Sequence, residues 1–469
     1  MLLVASAALP FLSFAQTPDD PFYDWDIELY RLLRSPEDPS GGILPLPDPP
    51  CAQQGIRPRG AALWVEAAAV DSAVAAPEGD GRRIRDGVRA RAVVGAQVAF
   101  PLSVRIDLAG RLLAGDGRRS GGQWLDRSLF WSRRGIEIRL GLTRSSWGDG
   151  TTGSLLLGRT SPPLEMVRVR SVRPWKIPYT RSIGRVHASL FLAYLDDRYR
   201  TVPYPLLHGT RVEWEPSDWL RLIAARTILF GGVGRTEKLR LSDLWDIWWA
   251  QDENLVGDRP VSDTDQKASF AAEIRLPGRV LPFHRLQGAR FFYEYAGEDS
   301  FEGLLPTAVA HQIGGSVAVD GWVGMVEFTE TTDDSNWWYT WHNVYGDRPY
   351  FFRGYVMGHP MGADGRSGLI RIFSPQGKAV RAQVVYTRRG HWDRSKRAAP
   401  LWGWEDSIGL RVLRGLKPRV VLEAGWMLTR STGDLYPLPD PAVPWLLTLA
   451  VHSRQPTSGP WRVDSPGVR

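Results

Sequence analysis

The run Arg388-Arg389-Gly390-His391-Trp392-Asp393-Arg394-Ser395-Lys396-Arg397 gathers five cations around one indole. A guanidinium forks onto a carboxylate, and an indole can lie against the apolar face of a sugar ring, so this composition suits an anionic sugar polymer. Arg388, Arg389, His391, Trp392, Arg394, Lys396 and Arg397 are therefore the candidate carbohydrate contacts. The competing reading is a solvated loop between two predicted strands, its cations facing lipopolysaccharide phosphates or, at the other membrane face, anionic headgroups.

A second group, His342 and His359 with Glu327, Glu330 and Asp364, has residue types suited to acid–base or metal chemistry. The spacing lacks the tight ligand pattern of known metal sites, and structural hydrogen bonding is the ordinary reading, with glycan contact as an alternative. Ser335, Ser367 and Ser374 stand near these histidines in sequence, as a hydrolase triad would require, yet no G-x-S-x-G elbow is present. Glu298-Asp299 and Asp196-Asp197 are paired carboxylates, but adjacent strand residues point to opposite faces and cannot flank one glycosidic bond. They are read as turn formers or partners of lumenal arginines. Gly231-Gly232-Val233-Gly234 lacks a following Lys-Ser or Lys-Thr and reads as a strand-end turn, not a phosphate cradle. The aromatic stretch Tyr345, Tyr350, Phe351, Phe352 and Tyr355 suits a sugar-stacking platform or, more ordinarily, an interfacial girdle. No catalytic residue, metal or cofactor is assigned.

The elements that position these residues are strands. Val104, Ile106 and Leu108 alternate with Arg105 and Asp107, and Ile136, Ile138, Leu140 and Leu142 with Glu137, Arg139 and Gly141. Similar runs fall at 184–195, 219–230, 268–276, 290–296, 313–328, 380–387, 407–413, 418–427 and 445–452, between Gly, Pro, Asp and Arg clusters. The recurrence of charged residues on one face favours a barrel with a wet lumen over a soluble sandwich.

With 43% hydrophobic and 23% charged residues the chain is not disordered, and no internal stretch supplies the roughly 18 apolar residues of a membrane helix. The 21 tryptophans suit membrane interfaces, sugar stacking or a core. Cys51 alone excludes an intramolecular disulfide framework. A net charge of +7 favours acidic partners, and the apolar residues 1–15 ending in Ser13-Phe14-Ala15 read as a signal peptide, which argues against nucleic acid. Residues 16–58 read as an amphipathic helical segment followed by a Pro/Gly-rich linker, 59–455 as the barrel and 456–469 as a tail.

Four blocks between about Trp147 and Asp364 resemble the Wzi-type capsule assembly proteins. The first is Trp147-Gly148-Asp149-Gly150 with Gly153, Ser154, Leu155–Leu157 and Pro162-Pro163, where Asp149 replaces the usual proline. The second joins Leu195–Arg198, His208-Gly209, Arg211-Val212 and Arg226 to the glycine-rich turn ending at Arg235. The third is Tyr293–Asp299, containing Glu298 and Asp299, followed by Gly303–Pro306 and Glu327–Thr331. The fourth is Tyr339 and His342, then Tyr350, Arg353 and Gly354, then Gly358, His359, Met361, Gly362 and Asp364.

The resemblance implies an all-β chain forming a large antiparallel transmembrane barrel of about eighteen strands. It further implies a short N-terminal helical element on the periplasmic side and extracellular loops that engage acidic capsular or extracellular polysaccharide. The expected protein is a non-enzymatic outer-membrane barrel in contact with membrane lipid and lipopolysaccharide, with a monomer expected. A porin-like channel and an outer-membrane hydrolase are the alternatives.

Overall fold

The computed structural model describes residues 55–453 except 70–73, 76–82, 85–86, 116–120, 144, 159–161, 172–174, 177–183, 236–238, 250–262, 279–284, 302–304, 332–338, 354, 376–379, 394–400, 418–419 and 434–444. Among these run eighteen long strands: β1 (Gly55–Ala69), β2 (Gly87–Ala99), β3 (Val104–Gly115), β4 (Gly121–Arg133), β5 (Ile136–Thr143) and β6 (Leu164–Ser171). Next come β7 (Arg185–Tyr194), β8 (Leu206–Ser217), β9 (Leu220–Phe230), β10 (Asp265–Pro277), β11 (Leu286–Phe301) and β12 (Leu305–Val319). The last are β13 (Trp322–Glu330), β14 (Gly365–Phe373), β15 (Val380–Asp393), β16 (Leu401–Lys417), β17 (Val420–Gly433) and β18 (Trp445–Ser453). Each pairs antiparallel with its successor, and β1 also pairs with β18, from Ala61 opposite Ser453 to Ala69 opposite Trp445. The sheet therefore closes into a barrel and leaves no open edge, the condition for spanning a membrane with strands. Among the described residues no helix is long and apolar enough to cross one.

The alternation reverses that of a soluble protein. In β5, Ile136, Ile138 and Leu140 are exposed on the outer wall while Glu137 and Arg139 are buried inside. The same rule exposes Leu190 and Leu192 on β7, Val212 and Trp214 on β8, and Ile370 and Ile372 on β14. Apolar outside and ionic inside is the pattern of a wall facing lipid and enclosing polar contents.

A tight hairpin explains where the period-2 reading merges two strands. Asp320 and Gly321 both adopt positive φ (48° and 81°), so a two-residue turn splits the run 313–328 into β12 and β13. Arg134-Gly135 forms a turn of the same kind between β4 and β5. The linker expected to reach residue 58 ends earlier, because β1 begins at Gly55 and contains Pro58. Pro58 is tolerated there: β1 pairs with β18 only from Ala61 onward, and the register against β2 shifts between Pro58 and Gly60. The expected signal peptide, the helical segment 16–54 and the tail 456–469 lie outside the described residues. The one α-helix within them, α1 (Asp243–Trp249), belongs to the β9–β10 connection.

Long connections sit at one end of the barrel, at 144–163, 195–205, 231–264 and 331–364, opposite the tight turns 134–135, 218–219 and 320–321.

Candidate functional site

Two of the long connections fold back into the lumen. Trp147 N–H donates to the Leu157 carbonyl at 2.7 Å, drawing 147–157 into a compact loop, and Gly148 turns it at φ +111°. A Cβ at Gly148 would meet Ser154 Cβ at 2.6 Å, so this turn needs glycine. Leu155, Leu156 and Leu157 are fully buried against Phe191, Leu207, Ala225 and Leu229 of the inner wall. The second segment, 339–364, packs on the first: Tyr339 donates through its hydroxyl to the Leu155 carbonyl and stacks on Tyr350 at 5.3 Å. Burial pushes the phenols of Tyr345 and Tyr350 upward, which keeps them neutral donors to the Gly231 carbonyl and to Thr227.

Asp149 anchors the first loop to the wall. Its carboxylate meets Arg221 of β9 and lies 3.6 Å from Arg290 of β11, which also donates to the Asp149 carbonyl at 3.0 Å. Arg221 additionally holds Glu273 of β10 and, at 3.2 Å, Glu213 of β8. The chain continues through Arg275 to Glu215, at 3.3 Å, and on to Arg185, at 3.1 Å. An ionic ladder thus runs across the inner face of β7 to β11, and the loop is tied into it by one residue.

A polar knot joins the two loops. Glu327 of β13 accepts from Thr151 N–H at 2.6 Å, Thr152 N–H at 3.0 Å, Gln312 at 3.0 Å and the Thr152 hydroxyl. His359 Nε2 lies 3.0 Å from Thr152 Oγ1, while its Nδ1 accepts from Met361 N–H at 3.2 Å. The Nδ1 acceptor role places the ring proton on Nε2, so His359 donates to Thr152 and Thr152 donates to Glu327. His359 is therefore a donor to this hydroxyl and does not stand as its base.

Above the knot, at the long-loop end, segments 196–201 and 341–355 interlock into a cap. Arg200 donates to the carbonyls of Pro349 and Phe351, and Arg353 N–H donates to Asp197 at 3.3 Å. Asp197 also accepts from Tyr199 N–H at 3.1 Å, and Thr201 packs over Gly346. Arg198 and Arg348 are exposed; the first lies 4.8 Å from the Tyr199 ring and the second 5.8 Å from Phe351. Neither forms an ion pair among the described residues. Arg353 stands beside them, over Phe352 and 3.7 Å from Asp196, with Trp341 and Tyr355 exposed nearby in sequence. Arg348 and Arg353 both sit at positive φ (55° and 50°), a conformation that costs energy in a non-glycine residue and is held here by the surrounding contacts.

The sequence profile of the capsule assembly protein Wzi matches residues 66–429. The chain belongs to the Wzi family. The structure is similar to Escherichia coli Wzi, an outer membrane protein involved in group 1 capsule assembly and a carbohydrate binding β-barrel, with a TM-score of 0.64 at 18% identity over 83% of each chain. It is also similar to Pseudomonas aeruginosa OpdL, with a TM-score of 0.50 at 12% identity over 86% of this chain and 98% of that one. At those identities the likeness speaks to the barrel fold. An uncharacterized 55.8 kDa protein in the cps region of Klebsiella pneumoniae is 27% identical over 199 residues, 41% of this chain and 36% of that protein. The chain thus spans little more than a third of that relative's length.

Within this Wzi-family barrel the signature residues are mostly structural. Trp147, Gly148, Gly153, Ser154, Glu327, Tyr339, Gly358 and His359 form or line the loop core, where a Cβ on Gly153 would meet His359 at 2.8 Å. His342 accepts from Val344 N–H at 3.2 Å, Gly362 and Asp364 hold positive-φ turns, and Gly354 lies outside the described residues. Glu298 faces the lumen 3.1 Å from Lys267, a lysine in place of the expected arginine, and Asp299 is the next residue of β11. Glu330 faces outward to Arg366 and cannot join His359, and no group of three metal-ligating side chains occurs among the described residues. Ser374 lies beyond the far end of β14, Ser367 faces inward on it, and Ser335 is outside the described residues. The aromatic stretch forms neither girdle nor platform as a unit, because Tyr345, Tyr350 and Phe352 are buried in the lumen.

The basic run is also placed differently. Residues 388–393 are the end of β15, not a loop, so Arg388 points outward over Trp404 at 4.7 Å while Arg389 points inward, 3.7 Å from Glu405. The two cannot grip one carboxylate together. His391 and Trp392 continue the strand, and Arg394, Lys396 and Arg397 lie outside the described residues.

Burial, reinforced by Arg389, pushes His359 from 6.5 down to about 3. The folded imidazole is neutral, so its contribution is complete above pH 6.5 and is lost as pH falls toward 3, by about 1.4 kcal/mol per pH unit. Melting of the detergent-folded barrel between pH 6.5 and 5 is expected to show this decline, and His359→Gln to flatten it; an unchanged slope in H359Q would assign the loss to other groups.

Proposed function

We propose that this chain is a non-enzymatic surface protein that binds an acidic polysaccharide at the cap of segments 196–201 and 341–355, and so helps assemble or retain a capsule-like layer. Long loops of such barrels face the cell exterior and short turns the periplasm, which puts the cap outside. The observation that carries the reading is the pair Arg198 and Arg348: exposed, without ion-pair partners among the described residues, each beside an aromatic ring. By contrast, Arg139, Arg170, Arg221 and Arg275 of the lumenal face are each held by a carboxylate. The lumenal loops favour a binding surface over an open channel, and the direction of the His359 hydrogen bonds speaks against a hydrolase that uses this histidine as its base. The carbohydrate binding of Escherichia coli Wzi supports the same reading. The outer wall meets membrane lipid and lipopolysaccharide, and a single barrel suffices for the cap.

The test is binding of the detergent-folded protein to the host's own acidic polysaccharide across a salt series, with an unrelated barrel as control. Saturable binding that weakens with salt is expected. Equal retention on both barrels, or none, would overturn the proposal, as would turnover of glycan or lipid esters that is lost in His359→Ala.

A further inference from the structure

Large apolar side chains on the outer wall are generally exposed, as Leu192 (43%) and Phe270 (44%) are. Ile228 and Phe230 also point outward from β9, since Arg221, Ala225, Thr227 and Leu229 face the lumen, yet they are 1% and 3% exposed. What covers them is α1, through Ile247 and Trp248, with Leu206 completing the contact. Phe230 ends β9 and Leu206 begins β8, so the helix sits on the outside of the barrel at its long-loop end.

The wall beneath is built to hold it. Arg226 and Gln266, both outward, donate to the carbonyls of Trp248 (2.7 Å) and Ile247 (3.1 Å) at the helix C-terminus, where a cation and donors complement the dipole. His208 meets the Trp248 ring edge-on at 5.3 Å. Polar groups that would otherwise face hydrocarbon are thereby satisfied.

The far face of the helix is apolar. Trp245 (64% exposed) and Trp249 (56%) lie one turn apart with ring centroids 5.7 Å from each other, and Leu241 and Leu244 extend the surface. A helix lying on a wall that contacts lipid presents its opposite side to the same medium. Tryptophan is the side chain best suited to the boundary between acyl chains and headgroups, and a short amphipathic helix lies in that plane.

We infer that α1 is an interfacial anchor, its Trp245–Trp249 face seated in the outer leaflet at the chain–headgroup boundary. The anchor fixes the barrel's height and tilt, and with it the height at which the cap stands above the membrane.

The experiment uses the full chain with Cys51→Ser, carrying one fluorophore at a cysteine placed at position 245, 249, 199 or 370, in phosphatidylcholine vesicles with nitroxide lipids. Position 370 on the outer wall reports insertion, and position 199 on the cap reports water. Labels at 245 and 249 are expected to lose most of their emission to a nitroxide near the headgroup and little to aqueous iodide. If they instead follow position 199, quenched by iodide and not by lipid nitroxide while 370 reports insertion, the anchor is refuted, whatever the polysaccharide assays show.

Discussion

Replacing Arg221 with alanine is expected to raise the conductance of the barrel and its sensitivity to protease together. Arg221 is fully buried and is the junction at which Asp149 of the lumenal loop meets Glu273 and Glu213 of the wall. Its removal leaves Asp149, Glu273 and Glu213 to the neighbouring Arg290, Arg275 and Arg211, and breaking a buried ion pair from one side costs about 3–5 kcal/mol. The cost falls on the loop. The wall is held by continuous ladders, such as Leu220 to Leu229 against Ile274 to Asp265, whereas the loop's ionic attachment is Asp149 alone. Conductance in planar bilayers and cleavage within 147–157 should rise together in R221A. Arg221→Lys keeps the charge but loses the fork and should fall between. Pairing Arg221→Met with Asp149→Leu removes both charges of the contact and should restore part of the protection. Unchanged conductance and protection in R221A would mean that the apolar packing of Leu155 to Leu157 and the hydrogen bonds of Thr151 and Thr152 to Glu327 hold the loop without the ionic junction.

That junction shows where the sequence is readable and where it is not. Strand alternation is local, so Ile136 to Leu142 declares its lipid and lumen faces without any structure. A fold-back loop has no comparable period. Leu155-Leu156-Leu157 looks like a short strand, and only its burial under Tyr339 and Met357 shows it to be lumen filling. Asp149 departs from the family's proline, and the reason lies in Arg221, 72 residues away. The basic run around Arg388 was conspicuous because its cations are consecutive, and consecutive residues on a strand are divided between two faces. The pairing of cap cations is illegible for the opposite cause: Arg198 and Arg348 lie on different connections, brought together by the contacts of Asp197 and Arg200. The local signals are the Asp196-Asp197 pair, which reads as a turn former or a partner of lumenal arginines, and the aromatic stretch from Tyr345 to Tyr355, which reads as a stacking platform or a girdle.

Reversing the cap charges with Arg198→Glu and Arg348→Glu together is expected to lower affinity for acidic polysaccharide at least about tenfold, which is about 1.4 kcal/mol. Both side chains are exposed and neither braces the fold, so the melting temperature should stay close to that of the parent. The loss should exceed that of a single contact, since a polymer engages several cap residues at once and each lost grip lowers the effective concentration for the next. Two comparisons separate recognition from bulk charge. Arg388→Glu changes the net charge in the same direction on the outer wall, beside Asp406, and should leave binding nearly intact. Arg198→Lys with Arg348→Lys preserves charge but removes the planar fork and should still lose affinity, with a salt dependence like the parent's. If R388E matches the double reversal, net charge alone attracts the polymer and the cap is not its site. If the lysine pair binds as well as the parent, the cap offers a positive field without carboxylate geometry, and specificity must then come from Tyr199, Trp341 and Tyr355.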